Sequence, residues 1–352
     1  MTGLQRVLAY LSAVGLALLS LAVVPAAIAE AATVVHCGDT ITANTTLAAD
    51  VGPCTGTAIH LGADNITLNL NGHTVTGTQL RNGDAPGIEG SSFSGDTVKN
   101  GIVTRFDTGV YFEFGGHETI TNIFAHDNLG RLDGDGIFGE GIQLFNVTDS
   151  LISNNQLVHN GPFAGIDIFD VSGTTISSNQ VINNNVLEPL TTHCGSPDGC
   201  MQDIGIWVVF LTVPTSHNLV IGNTVVGSGL DGIQLSNLTS DNTVSRNNVT
   251  FNGWGQILDP PDAAGPRDGD GIVVFGDHSL VDRNTATKNA AKGIRVLDGT
   301  YDTVTNNVAA GSGGGKNSVG KSFVLADTNP NCDHDTWHRN AFVTFNQPCV
   351  TH

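Results

Sequence analysis

Acidic residues in this 352-residue chain gather beside a few short Gly-Ile segments, and chemistry could occur there. Asp167, Asp203 and Asp231 lie on or next to three successive segments of this kind. Glycoside hydrolysis needs two carboxyl groups, about 5 Å apart for retention of configuration or about 6.5–9.5 Å for inversion. One strand step of ~4.8 Å falls near the first range and two steps, ~9.6 Å, at the edge of the second. Asp-Gly-Asp-Gly-Ile occurs twice, at 133–137 and 268–272. With Asp203, Asp231, Asp268 and Asp270, these loops offer the hard oxygen donors that calcium takes. Asp-Gly is equally an ordinary turn signal. Lys292 and Arg295 share one further Gly-Ile segment. A lysine beside a positive charge has the lowered pKa a general base requires, although a surface pair balancing the acidic row fits these two residues at least as well.

The elements that position these groups are set by an internal repeat. Gly followed by a β-branched residue recurs at Gly109, Gly141, Gly165, Gly205, Gly232, Gly271 and Gly293, spaced 32, 24, 40, 27, 39 and 22 residues apart. Ten to fifteen residues after most of these, an apolar residue is followed three later by Asn: Ile152/Asn155, Ile176/Asn179, Val220/Asn223, Val244/Asn247, Val281/Asn284 and Val304/Asn307. A basic period of 22–24 with insertions predicts a coil of three short strands, each alternating apolar-in and polar-out. Asn tolerates the left-handed backbone of sharp turns, and stacked Asn amides bond from coil to coil. Alternation places Tyr111, Gln143, Asp167, Trp207, Gln234, Val273 and Arg295 in one outward row. Insertions at 127–140, 185–204 and 253–270 all fall just before a Gly-Ile strand, so stacking brings them to one side of the cylinder. The row beneath them is the expected groove. Its aromatics and amides suit a sugar, with Tyr111, Gln143, Trp207 and Gln234 as the binding residues.

Composition sets the compartment and excludes partners. Acidic residues number 33 against 14 basic, a formal charge of −19 with no Lys/Arg cluster, which argues against nucleic acid and anionic membrane. Residues 1–29 read as a secretory signal: Arg6, an apolar run over 7–24, and a small-residue exit at Ala27-Ile28-Ala29. The run also fits a retained anchor. Cleavage would leave a secreted, extracellular protein with no membrane contact. Six cysteines allow fifteen pairings, and export with close spacing favours the sequential ones: Cys37 with Cys54, Cys194 with Cys200, Cys332 with Cys349.

These features resemble the right-handed parallel β-helix (pectate-lyase-like) superfamily of secreted polysaccharide lyases, polygalacturonases, epimerases and binding proteins. The resemblance covers about residues 57–346, and Leu68-Asn69-Leu70-Asn71-Gly72-His73-Thr74-Val75 looks like an opening coil of that group. It implies an all-β, single-domain right-handed solenoid of about ten coils with disulfide-pinned ends. An N-terminal cap over 30–56, a β-helix over 57–331 and a C-terminal coil and cap over 332–352 follow. It implies an extracellular polysaccharide as partner and a monomer. Relatives abstract a sugar proton with Arg or Lys beside calcium or another cation, which makes Lys292 and Arg295 the catalytic candidates for lyase or epimerase action on a uronic-acid polymer, with Asp167 the catalytic candidate for hydrolysis. A polyuronate would need calcium to approach so acidic a chain. The polygalacturonase motifs and the epimerase Asp-Pro-His-Asp-type motif are missing from this sequence, so no family catalytic residue carries over. A non-catalytic adhesion or carbohydrate-binding protein is the alternative.

Overall fold

β-branched residues at alternate positions, cut by Gly and Asn every few residues, give short strands that cannot bury their apolar faces alone and must stack. A computed structural model describes residues 31–79, 85–130, 139–184, 204–254, 269–312 and 324–351. From Ala32 onward these form a single unit of parallel strands wound as a β-helix. One face is an eleven-stranded parallel sheet, from Asp39–Ile41 to Leu325–Asp327. Two further faces carry the remaining strands in the same in-register stacking. The strands Thr97–Thr104 and Thr119–His126 run through the corner between those faces, whereas later coils split the same stretch into two strands of three residues. Residues 39–54, in the segment expected as a cap, already supply a strand to each face. The expected disulfides Cys37–Cys54 and Cys332–Cys349 are formed near the two ends. Cys194, Cys200 and the signal segment lie outside the described residues. No described helix is long and apolar enough to cross a membrane.

The interior repeats coil by coil. Ile166, Ile168, Ile176 and Val181 are followed by Ile206, Val208, Val220 and Val225, then by Ile233, Leu235, Val244 and Val249, all without solvent exposure. Each such side chain contributes ~1.5–3 kcal/mol of burial. The repeated Gly has a packing cause: a Cβ at Gly165 would sit 2.5 Å from Val181 Cγ1, and one at Gly205 would sit 2.3 Å from Val225 Cγ1. Both glycines lie within strands, and only a residue without a side chain lets the neighbouring face pack this closely.

The repeated Asn forms a buried ladder. Asn155, Asn179, Asn223, Asn247, Asn284 and Asn307 each pass a side-chain N–H to the Oδ1 of the next at 3.0 Å, the last to Asn340. Each Oδ1 also accepts the backbone N–H of the preceding Asn, and the second amide proton reaches a carbonyl such as Ile176 O from Asn223. The left-handed turn falls one residue earlier, at Asn154, Ser178, Gly222, Arg246, Arg283, Asn306 and Arg339. Hydrogen bonding, more than backbone conformation, therefore dictates Asn at the ladder position.

Candidate functional site

Strand pairing puts the expected row in register. Glu89, Tyr111, Gln143, Asp167, Trp207, Gln234, Val273 and Arg295 are successive partners across the eleven-stranded sheet. Alternation turns them away from the interior, which Ile166 and Ile168 fill on either side of Asp167. The row differs from expectation in exposure. From Tyr111 to Arg295 every member is buried, none above 9%. A second apolar cluster of Ala164, Ile204, Trp207, Val209 and Leu230, with Phe163 and Phe169 against it, accounts for part of that cover.

Asp167 has no exposed surface, and neither carboxyl oxygen finds a hydrogen bond of good geometry. Burial and the neighbouring Glu140 carboxyl push its pKa well above the usual carboxylate range, opposed only by the Ile168 amide. Glu140, also fully buried, stands one residue before Gly141 on the preceding strand's approach. Its Oε2 accepts from Thr108 Oγ1 (2.8 Å) and Gly139 N (2.7 Å). Burial outweighs these bonds and raises its pKa to about 8. Burial raises both carboxyls and the Glu140 charge raises Asp167 further, an arrangement that acid–base chemistry uses. Glu140 was visible in sequence as one member of an acidic group; nothing in the pattern separated it from Asp133 or Asp135, which lie outside the described residues.

Upstream in the row, the Tyr111 hydroxyl donates to Glu113 Oε2 (2.8 Å), and Ser91 Oγ donates to Glu113 Oε1 (2.8 Å). Burial first, then Glu113, Glu89 and Glu140, raise the Tyr111 pKa. His60 Nδ1 lies 3.0 Å from Glu89 Oε2. Two positions further along the strands runs a half-open row, Glu113, Phe145, Phe169, paired in register. Phe145 meets the exposed Phe114 edge-on at 5.6 Å, and Phe169 meets Trp207 at 5.7 Å. This aromatic track was missed in the sequence, because the Gly-Ile strands were read to the fourth residue and the track begins at the fifth.

The downstream half is an ion-pair network. Arg295 Nε lies 2.5 Å from Asp270 Oδ2, both buried. Asp270 Oδ1 accepts Lys292 N at 2.8 Å, and Asp270 N donates to Asp231 Oδ1 at 2.6 Å. Trp207 Nε1 donates to Ser236 Oγ at 2.7 Å. Of the four aspartates expected as calcium ligands, Asp203 and Asp268 lie outside the described residues. Asp270 is held by a guanidinium, and among the described residues no three His, Cys, Asp or Glu groups come together as a metal cluster. Two of the four expected ligands are thus outside what is described, and no step below runs through a metal ion.

Residues 35–210 and 209–309 match the family model described as the right handed beta helix region. No curated protein matches the chain in sequence. Among solved structures, the mannuronan C-5 epimerase AlgE4 A-module of Azotobacter vinelandii is 13% identical, with 89% of this chain and 82% of that one covered at a TM-score of 0.53. DFA-IIIase from Arthrobacter chlorophenolicus A6, in complex with DFA-III, is 12% identical, with 87% and 76% covered at 0.56. The Dettilon tailspike protein is 15% identical, with 88% and 63% covered at 0.55. At such identities the likeness is one of fold.

Proposed function

This chain belongs to the right-handed β-helix family, and we propose that it binds an extracellular polysaccharide on the outer face of its eleven-stranded sheet and cleaves it by carboxyl acid–base chemistry. The observation that carries this reading is the pair of fully buried carboxyls Asp167 and Glu140, the first raised further by the charge of the second. A pair whose first proton leaves far more readily than its second holds one acid and one base over a wide pH range, which glycosidic cleavage requires. Tyr111, Phe145, Phe169 and Trp207 provide apolar ring faces beside it, and Gln143 and Gln234 lie in the same row for hydroxyls. Because Asp167 is fully buried, a sugar reaches it only by displacing neighbouring groups. Relatives of similar fold include a mannuronan epimerase, and the disulfides suit export.

Lyase or epimerase action through Lys292 and Arg295 has less support, since Arg295 already serves as counter-ion to buried Asp270. A non-catalytic glycan-binding protein is the second reading, and the complete burial of Asp167 favours it. Reducing-end and ultraviolet assays on a glycan panel, run with Asp167→Asn and Glu140→Gln, separate these. The proposal expects new reducing ends without ultraviolet-absorbing unsaturated ends, and a loss of at least ~100-fold in either variant with binding retained. Binding without turnover in the unaltered protein would establish the second reading.

A further inference from the structure

We infer that the glycan taken by this face is uncharged, and that carboxylated sugars are turned away by its row of carboxyl groups. The inference rests on the reading of this face as a glycan site and names its substrate class. It starts from the census of charge along the row. Glu89, Glu113, Glu140 and Asp167 stand on or beside four consecutive strands, and Asp231 and Asp270 follow on the downstream side. Against these six carboxyls the described residues on or beside the same strands set three cationic side chains, His60, Lys292 and Arg295. Two of these face an acid directly: His60 lies against Glu89, and Arg295 against Asp270.

Tyr111 reports the resulting field. Beyond burial and its own bond to Glu113, its phenol is held protonated by the negative charges of Glu113 and Glu89. A second anion brought to that position meets the same field in a poorly solvated site, where like charges are costly. Full burial meanwhile favours the protonated form of both Asp167 and Glu140, raising Glu140 to about 8. As neutral acids they offer hydroxyl-type donors and acceptors to a sugar hydroxyl, a match for an uncharged ring. A uronate carboxylate would instead favour their protonated forms further and remove the base the reaction needs. The remaining contacts of the face, Gln143, Phe145, Phe169, Trp207 and Gln234, carry no charge.

The test is calorimetric binding of the full chain to matched neutral and uronic-acid oligosaccharides at about 20 and about 300 mM salt, with and without calcium. The inference expects a neutral glycan to bind with Kd unchanged by salt within about twofold, and every polyuronate to bind at least ~10-fold more weakly at low salt. Glu89→Gln combined with Glu113→Gln should narrow that neutral-to-uronate ratio by at least about fivefold. Tightest binding of a polyuronate, in either calcium condition, overturns the inference. In that case turnover lost in Asp167→Asn would still leave the acid–base reading standing. If no glycan of either class binds, the glycan reading falls and the substrate class falls with it.

Discussion

Asp167 is a carboxyl group placed where an apolar residue would cost less, and that cost is the reason to assign it chemistry. A buried acid without good hydrogen bonds destabilises a fold unless it keeps its proton. Held protonated, it differs little from its amide. Asp167→Asn should therefore change unfolding free energy by less than ~1 kcal/mol near pH 6, measured by denaturant titration, while abolishing turnover. Where turnover requires one ionised member of the pair, the acidic limb of the pH–rate profile should lie near pH 8, where Glu140 ionises, and not near 4 to 5. The sequence made Asp167 legible through strand alternation alone. Glu140 was not separable, because its role depends on burial and on a bond to Thr108 of the preceding strand. Arg295 was legible in position but not in partner, since Asp270 lies on the approach to a different coil.

At the scale of the element, two devices hold each coil to the next, and both were readable because they recur. In Asn223 the amide gives two bonds and receives two, all buried. Truncation to Ala leaves Ile176 O, the Asn179 N–H groups and Asn247 Oδ1 without that partner. At ~1–3 kcal/mol for each unsatisfied group, Asn223→Ala should cost at least ~3 kcal/mol in chemical denaturation, against under ~0.5 for an exposed control such as Leu238→Ala. Gly205→Ala should cost ~1–3 kcal/mol by overpacking, because the new methyl would meet Val225 and the Gly232 carbonyl oxygen at 2.5 Å or less. What the repeat could not tell was the state of the outer face. Period-two alternation says which way a side chain points, not what lies over it, so a row expected in solvent proved to be buried.

Over the whole molecule, buried acidic groups gather in an early coil and near the C-terminal end as well as in the row. Glu118, buried and stacked on Asp96, has its pKa raised by burial to about 8. Near the C-terminal end, burial raises Asp302 to about 8 and Asp335 to about 7, and Asp327 is raised beside them while accepting Trp337 Nε1 at 2.8 Å. A carboxyl raised by folding takes up a proton on folding between its unfolded value near ~4 and its folded one. The stability tied to these groups is thus complete below about pH 4 and is lost as pH rises towards 8. The melting temperature should fall between pH 5 and 8.5, and Glu118→Gln should flatten that slope. The repeat made the solenoid, its ends and two of its disulfides legible, because every coil states the same rule in sequence. Charge placement is not periodic, and so these acid-stabilised groups were not.

The most direct test of the account is a carbon-13 NMR titration of the Asp and Glu carboxyls, free and with a neutral oligosaccharide bound. The account predicts a Glu140 signal that titrates near pH 8 and an Asp167 signal that titrates well above the ordinary carboxylate range, assigned by their loss in Glu140→Gln and Asp167→Asn, and both shifting when sugar binds. Two carboxyls titrating near pH 4, or signals indifferent to a bound sugar, would contradict it.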